Sequence, residues 1–240
     1  MARHVKIEEA IRIALENNLL FYAFRKPGED IEFGLQLTPL AERKSGEKGF
    51  VISPFVVTEN TPELFIKQEY LLNNFPCEVE KRDVVYPKEN FEIEFAQYEL
   101  SAKKLISEMN EGRYQKAVLS RTIGVGVDAR NSASEWFLSL CKNYPNAYVY
   151  IFSVPEIATW IGATPEKLLE YDGDAVITMA LAATRRVGEM REFTKKEERE
   201  QQIVAEYIID KFNEIALQPN ISHRFDSNRF DNCLHRSYGS

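Results

Sequence analysis

The order of the apolar runs constrains this chain more than any other feature. Helical spacing opens it: Ile7, Ala10, Ile11, Ala14 and Leu15 recur among charges over Lys6–Asn18, which makes one helix face apolar. Two strand-like runs follow, Leu20–Phe24 and Ile31–Leu37, with the hairpin turn Pro27-Gly28-Glu29-Asp30 between them. Gly49–Phe55 predicts a further strand, with Pro54 marking its edge or end. Thr58–Asn90 is mixed and is broken by Pro62, Pro76 and Pro87. Helix spacing returns over Phe95–Asn110 through Tyr98, Ala102, Leu105, Ile106 and Met109, and the β-branched run Lys116–Val127 predicts a long strand. Ser134–Lys142 predicts a short helix, and Ala147–Val154 and Thr159–Ala163 predict strands. Leu168–Tyr171 and Val176–Leu181 predict two more around an Asp172-Gly173 turn, before the longest helix, Lys195–Leu217. This order lacks regular βαβ alternation, so it predicts an α+β fold and not a doubly wound one. No repeat or low-complexity segment interrupts it.

Composition narrows the function classes. The chain has 240 residues, 44% hydrophobic and 28% charged, so disordered and fibrous classes are out and a core can form without disulfides. Its formal charge of −7 leaves no basic surplus for phosphates, which argues against a general nucleic-acid binder. No apolar run approaches the ~20 residues that span a bilayer, and the opening MARHVKIEEAIR has no apolar signal region. Three widely spaced cysteines, Cys77, Cys141 and Cys233, suit a reduced cytoplasm better than a disulfide framework.

Four stretches could carry chemistry, and each has a plain reading beside it. In Tyr114-Gln-Lys-Ala-Val-Leu-Ser-Arg121, Lys116 opens an apolar strand. It is either a lysine snorkelling to solvent or a partly desolvated base. In Trp160-Ile-Gly-Ala-Thr-Pro-Glu-Lys-Leu-Leu169, Glu166 follows a turn, either as a first-turn helix carboxylate or as a general acid. Ile177-Thr-Met-Ala-Leu-Ala-Ala-Thr-Arg-Arg186 runs from a strand into small residues, which is a simple turn or a place where backbone N–H groups approach a ligand carboxylate. In the helix Lys196–Ile209, Glu200 shares the face of Ile203, Val204, Tyr207 and Ile208, with Glu197 one turn earlier. A carboxylate on a buried stripe needs a partner such as a metal ion; a solvated first turn is the competing reading.

Taken in this order, YQKAVLSR, WIGATPEKLL, ITMALAATR and EEREQQIVAEYI resemble the chorismate-utilising enzymes, most closely the isochorismate synthases. GFVISPF is a weaker anchor, and the resemblance covers Phe50 to about Leu217. It implies an anthranilate synthase component I-like α+β fold, with antiparallel sheets flanked by helices, and a monomeric cytoplasmic enzyme. It implies chorismate as substrate, Mg²⁺ as cofactor, and a product that feeds menaquinone or a catechol siderophore. By resemblance, Lys116 is the base on a water that attacks C2 of the ring, and Glu166 is the acid that protonates the departing C4 hydroxyl. Glu200 holds Mg²⁺, and Ala182, Ala183 and Thr184 pack against the substrate and its carboxylate. The residue types suit the task, because hydroxide leaves poorly and water attacks poorly without a positioned acid and base.

Two positions discriminate within the family. Anthranilate synthases carry Gln where Lys116 stands, and aminodeoxychorismate synthases carry a nucleophilic Lys where Ala182 stands. The pair seen here favours water as nucleophile; salicylate synthases share it and add pyruvate elimination. Ala183 replaces the usual Gly, which implies a penalty if that backbone needs φ > 0 or must touch the substrate. Family members also continue beyond residue 240, where they supply a second metal-binding glutamate and a substrate arginine. Residues 218–240 lack a clean helical or alternating pattern, and the spacing of His223, Cys233 and His235 fits no common zinc site. The expectation is therefore a domain over 1–217 followed by an atypical tail from a truncated or frame-shifted gene. On that expectation the chain alone has little turnover, or is a non-catalytic fragment.

Overall fold

A computed structural model describes residues 2–84, 92–127, 129–171, 176–186, 191–214, 222–224 and 233–239; the side chains of 183–186, 222–224 and 233–239 lie outside that description. In chain order the elements are β1 (Ala2–Arg3), α1 (Ile7–Glu16), β2 (Leu20–Arg25), β3 (Glu32–Gln36), β4 (Gly49–Ile52), β5 (Leu64–Lys67), a 3₁₀ turn (Leu72–Asn74), β6 (Phe75–Pro76), α2 (Phe95–Asn110) and α3 (Ala129–Asn143). They continue with β7 (Tyr148–Val154), β8 (Ala158–Thr164), β9 (Glu170–Tyr171), β10 (Val176–Ile177), β11 (Met179–Arg186), α4 (Lys195–Glu214), β12 (Ser222–Arg224) and β13 (Cys233–Gly239). Every strand pairing among the described residues is antiparallel, so the fold is α+β. No helix among the described residues is long and apolar enough to cross a membrane. The chain divides into two compact units, Met1–Glu89 with Gly126–Thr164 and Asn90–Val125 with Pro165–Ser240.

The first unit is built on a four-stranded sheet in the order β3-β2-β7-β8. Strand alternation gives it two faces. Phe21, Ala23, Leu35, Val149 and Ile151 are fully buried, on the face that α1 and α3 cover with Ile11, Leu15 and Phe137. The opposite face is aromatic: Tyr22 stacks on Phe50 of β4 at 5.2 Å, and Tyr148, Tyr150 and Phe152 run down β7 in a continuous stack. Glycines make that stack possible. Gly34 pairs with Tyr22, and a Cβ there would fall 2.4 Å from the Tyr22 ring; Gly162 pairs with Tyr150 and is similarly overlain. The glycine of the WIGATPEKLL stretch thus has a packing role, since a tyrosine ring lies across it. Below the sheet, Arg25 caps the end of α3, its guanidinium donating to the carbonyls of Cys141 (2.8 Å), Tyr144 (2.6 Å) and Ala147 (3.0 Å).

The second unit holds α2, α4, the β9–β10 pair and a sheet in the order β11-β13-β12. Helix α2 has the bounds its periodicity predicts, yet none of its residues is fully buried. Two expectations need correction. Lys116–Val127 forms no strand: Val118, Ile123, Val125 and Val127 are exposed, and the Ile93 N–H donates to the carbonyl of Thr122. β-Branched composition marks a segment that would fit a pleated surface, but a strand also needs a neighbour to complete its ladder. Conversely, the patternless tail does form strands, β13 lying along β11 with Ala180 opposite Tyr238 and Arg186 opposite Cys233. The Asp172-Gly173 turn lies outside the described residues, as do the side chains of His223, Cys233 and His235.

Candidate functional site

Helix α4 begins with a capping box that the sequence reading missed, although Thr-x-x-Glu before an apolar run is its signature. The Glu197 carboxylate accepts from the Thr194 N–H at 2.7 Å, and Thr194 Oγ1 accepts from the Glu197 N–H at 3.3 Å. Arg191 donates both terminal nitrogens to the same carboxylate at 2.9 Å each. These contacts, the Arg191 guanidinium first, hold Glu197 well below the ordinary carboxylate value, at about 2. A depressed folded value stabilises the native state above the ordinary value near 4.5 and loses that contribution as pH falls towards 2. The start of α4 is therefore expected to fray between those limits, seen as faster amide exchange of residues 195–200 in acid. A Glu197→Gln variant should flatten that dependence; equal pH dependence in variant and wild type would rule the capping account out.

From this anchored start α4 lays one face on β11. Gln201 is its most buried residue, 1% exposed, and donates Nε2 to the Ala180 carbonyl at 3.4 Å. Ile203, Val204 and Ile208 are partly covered as expected, whereas Tyr207 is exposed and lies outside the stripe. Glu200 sits on the covered side, and its partner is Lys116: Nζ and Oε1 are 3.3 Å apart, with side-chain exposures of 22% and 39%. Lys116 is thus largely enclosed in an irregular segment, which Arg121 also ties down by donating to the Ile93 carbonyl at 2.7 Å and lying over the Phe95 ring.

Strand β11 is the common platform. Glu166 is exposed in the loop after β8, but the residues behind it are fixed to the start of β11. Thr178 Oγ1 donates to the Leu168 carbonyl at 2.7 Å, and the Lys167 N–H points at Met179 Sδ at 3.4 Å. Ala180 takes the Gln201 contact, and Ala182 is buried at 9% exposure. The β11–β13 register then slips between Ala182 and Thr184, a bulge at Ala183 where the resemblance expects glycine. Bulges re-aim backbone groups and recur beside ligand sites. The side chains of Ala183 and Thr184 lie outside the described residues. Lys116 and Glu200 are in direct contact, and the Glu166 loop and the Ala182–Thr184 stretch meet the same strand.

Among the described residues, no three His, Cys, Asp or Glu side chains cluster into a metal cage. Mg²⁺ does not require one, because it keeps several waters and takes one or two carboxylates. Glu200 fits that role, being partly exposed and engaged by a single flexible lysine. Glu197 does not, since both of its oxygens are already bonded to Arg191 and Thr194.

Residues 42–238 match the model of a family described as chorismate binding enzyme, and the match runs past residue 217 into the tail strands. No curated protein matches the chain in sequence. Among solved structures the fold is similar to that of DhbC of Bacillus anthracis, assigned as a 2,3-dihydroxybenzoate-specific isochorismate synthase. The TM-score is 0.60 at 17% identity, over 97% of this chain and 70% of that one. It is also similar to MenF, the menaquinone-specific isochorismate synthase of Escherichia coli, with a TM-score of 0.56 at 11% identity, over 96% of this chain and 66% of that one. At these identities the likeness is one of fold.

Proposed function

The chain belongs to the chorismate-binding enzyme family, and from that premise we propose that it is an isochorismate synthase. The observation that carries this reading is the Lys116–Glu200 pair, set beside the strand that bears Ala182. Lys116 takes a proton from a water that adds to C2 of chorismate, and Glu166 gives a proton to the C4 hydroxyl as it leaves. One water enters and one leaves, so substrate and product are isomers. Lys116 must first part from the Glu200 carboxylate, because only a neutral amine accepts a proton. Glu166 is exposed in the loop after β8, within reach of a ligand from solvent.

Glu200 would hold Mg²⁺, which when bound offsets the charge of the substrate's ring carboxylate. The remaining carboxylate contacts would fall to the backbone at the Ala182–Thr184 register shift, since a bulge can turn N–H groups out of the ladder towards a ligand. A net acidic protein needs such local donors to receive a dianion.

The test is product analysis after incubating the chain with chorismate and Mg²⁺. Isochorismate is the expected product and should vanish on chelation. Salicylate with pyruvate would move the assignment to a salicylate synthase; anthranilate formed from added ammonia would overturn water as the nucleophile.

A further inference from the structure

We propose that Gln201 is a positioning residue whose free amide oxygen receives an O–H donor brought by the bound ligand, a reading that rests on the function proposed above. Gln201 is 1% exposed, and its Nε2 reaches the Ala180 carbonyl only at the long end of hydrogen-bond range, 3.4 Å. Its Oε1 is fully buried and takes no hydrogen bond among the described residues. Native proteins leave few such groups, because a buried acceptor without a donor loses its hydration and gains nothing. The surroundings make an amide a poor choice for packing alone. Ala180 and Ala182 are buried on β11, and a methionine would fill the same space without stranding a polar atom.

The location says what the oxygen is for. Gln201 follows Glu200, which touches Lys116 at 3.3 Å, and it is bonded two residues before Ala182 on β11. Its amide therefore lies against the face of β11 that Ala180 and Ala182 share, one residue along α4 from the proposed metal carboxylate. The missing donor is an O–H, either a hydroxyl of the cyclic substrate or a water ordered on Mg²⁺ at Glu200. Among the described residues the oxygen has no donor, and in the complex it fixes the ligand's rotation while Nε2 holds α4 to β11. Such a residue lowers the stability of the empty protein and strengthens binding, the signature of a functional buried polar group.

The experiment compares the wild-type chain with Gln201→Met, a near-isosteric change that removes the acceptor. Melting temperatures are measured without ligand, and binding of Mg²⁺ alone and of chorismate with Mg²⁺ is measured by calorimetry. The variant is expected to melt at or above wild type, by up to about 2–4 °C, and to bind chorismate roughly 5- to 10-fold more weakly. If Mg²⁺ alone also binds more weakly, the donor is a metal-ordered water; if Mg²⁺ binding is unchanged, it is a substrate hydroxyl. A lower melting temperature in the variant, or equal chorismate affinity in the two proteins, overturns the inference. Wild-type chain that fails to bind chorismate overturns the proposed function and this inference with it.

Discussion

Lys116→Ala is expected to lower turnover of chorismate by about 10²- to 10⁴-fold, the usual contribution of a general base, while the chain melts close to the wild-type temperature. The two halves of that result come from different physics. The Lys116–Glu200 pair is partly open to solvent on both sides, and ion pairs of that kind are worth about 0–1 kcal/mol, so little stability is lost with it. Proton removal from water, by contrast, has no second candidate beside Glu200 among the described contacts. Lys116→Arg should be as inactive as the alanine variant, because a guanidinium keeps the charge and does not deprotonate. Removing the lysine also frees the carboxylate, so Mg²⁺ should bind the alanine variant at least as tightly as wild type. Initial rates, calorimetric Mg²⁺ titration and thermal unfolding on the same preparations check all three. Full turnover in either variant would remove Lys116 from the mechanism.

The largest expected effect on stability lies in the other unit. Arg25→Ala should cost about 3 kcal/mol, since hydrogen bonds from a charged donor are worth about 1.5–3 kcal/mol each and do not add fully. The guanidinium gathers the carbonyls of Cys141, Tyr144 and Ala147, where α3 ends and the chain turns into β7. The last carbonyls of a helix have no partner inside it; alanine would take this donor from the Cys141 and Ala147 carbonyls and leave the Tyr144 carbonyl with the Ala147 N–H, which donates to it at 3.0 Å. At roughly 2–4 °C per kcal/mol for a chain of this size, the melting temperature should fall by about 6–12 °C. Arg25→Lys should recover only part of the loss, because one ammonium cannot span three carbonyls as a planar fork does. If Arg25→Ala melts with wild type, the fork is decorative and the α3–β7 corner is held by packing alone.

Much of the local structure was legible in the chain because its causes are local. Apolar periodicity placed α1, α2 and α4 within a few residues, and Pro27-Gly28 marked the β2–β3 hairpin because Gly28 supplies a φ of +74° that other residues resist. The same logic failed over Lys116–Val127, where composition promised a strand and the described residues pair it into no ladder. It failed in the opposite sense at β13, whose irregular sequence is held by β11. Pairing partners are chosen across the fold, and nothing in either segment alone encodes that choice.

The candidate site divides in the same way. Lys116, Glu166, Ala182 and Glu200 were singled out by the resemblance of four ordered motifs, because residue types and spacing alone left a plain reading open at each of them. The structure places Lys116 against Glu200 and lays α4 on β11, a packing that also buries Gln201, which nothing in the helix pattern singled out. By itself the sequence determined which groups were available and which segments would be helices or hairpins, through short-range sterics and hydrophobic spacing. Only the tertiary structure decided which of them meet and which polar atoms lose their water, because burial and contact are properties of distant segments brought together.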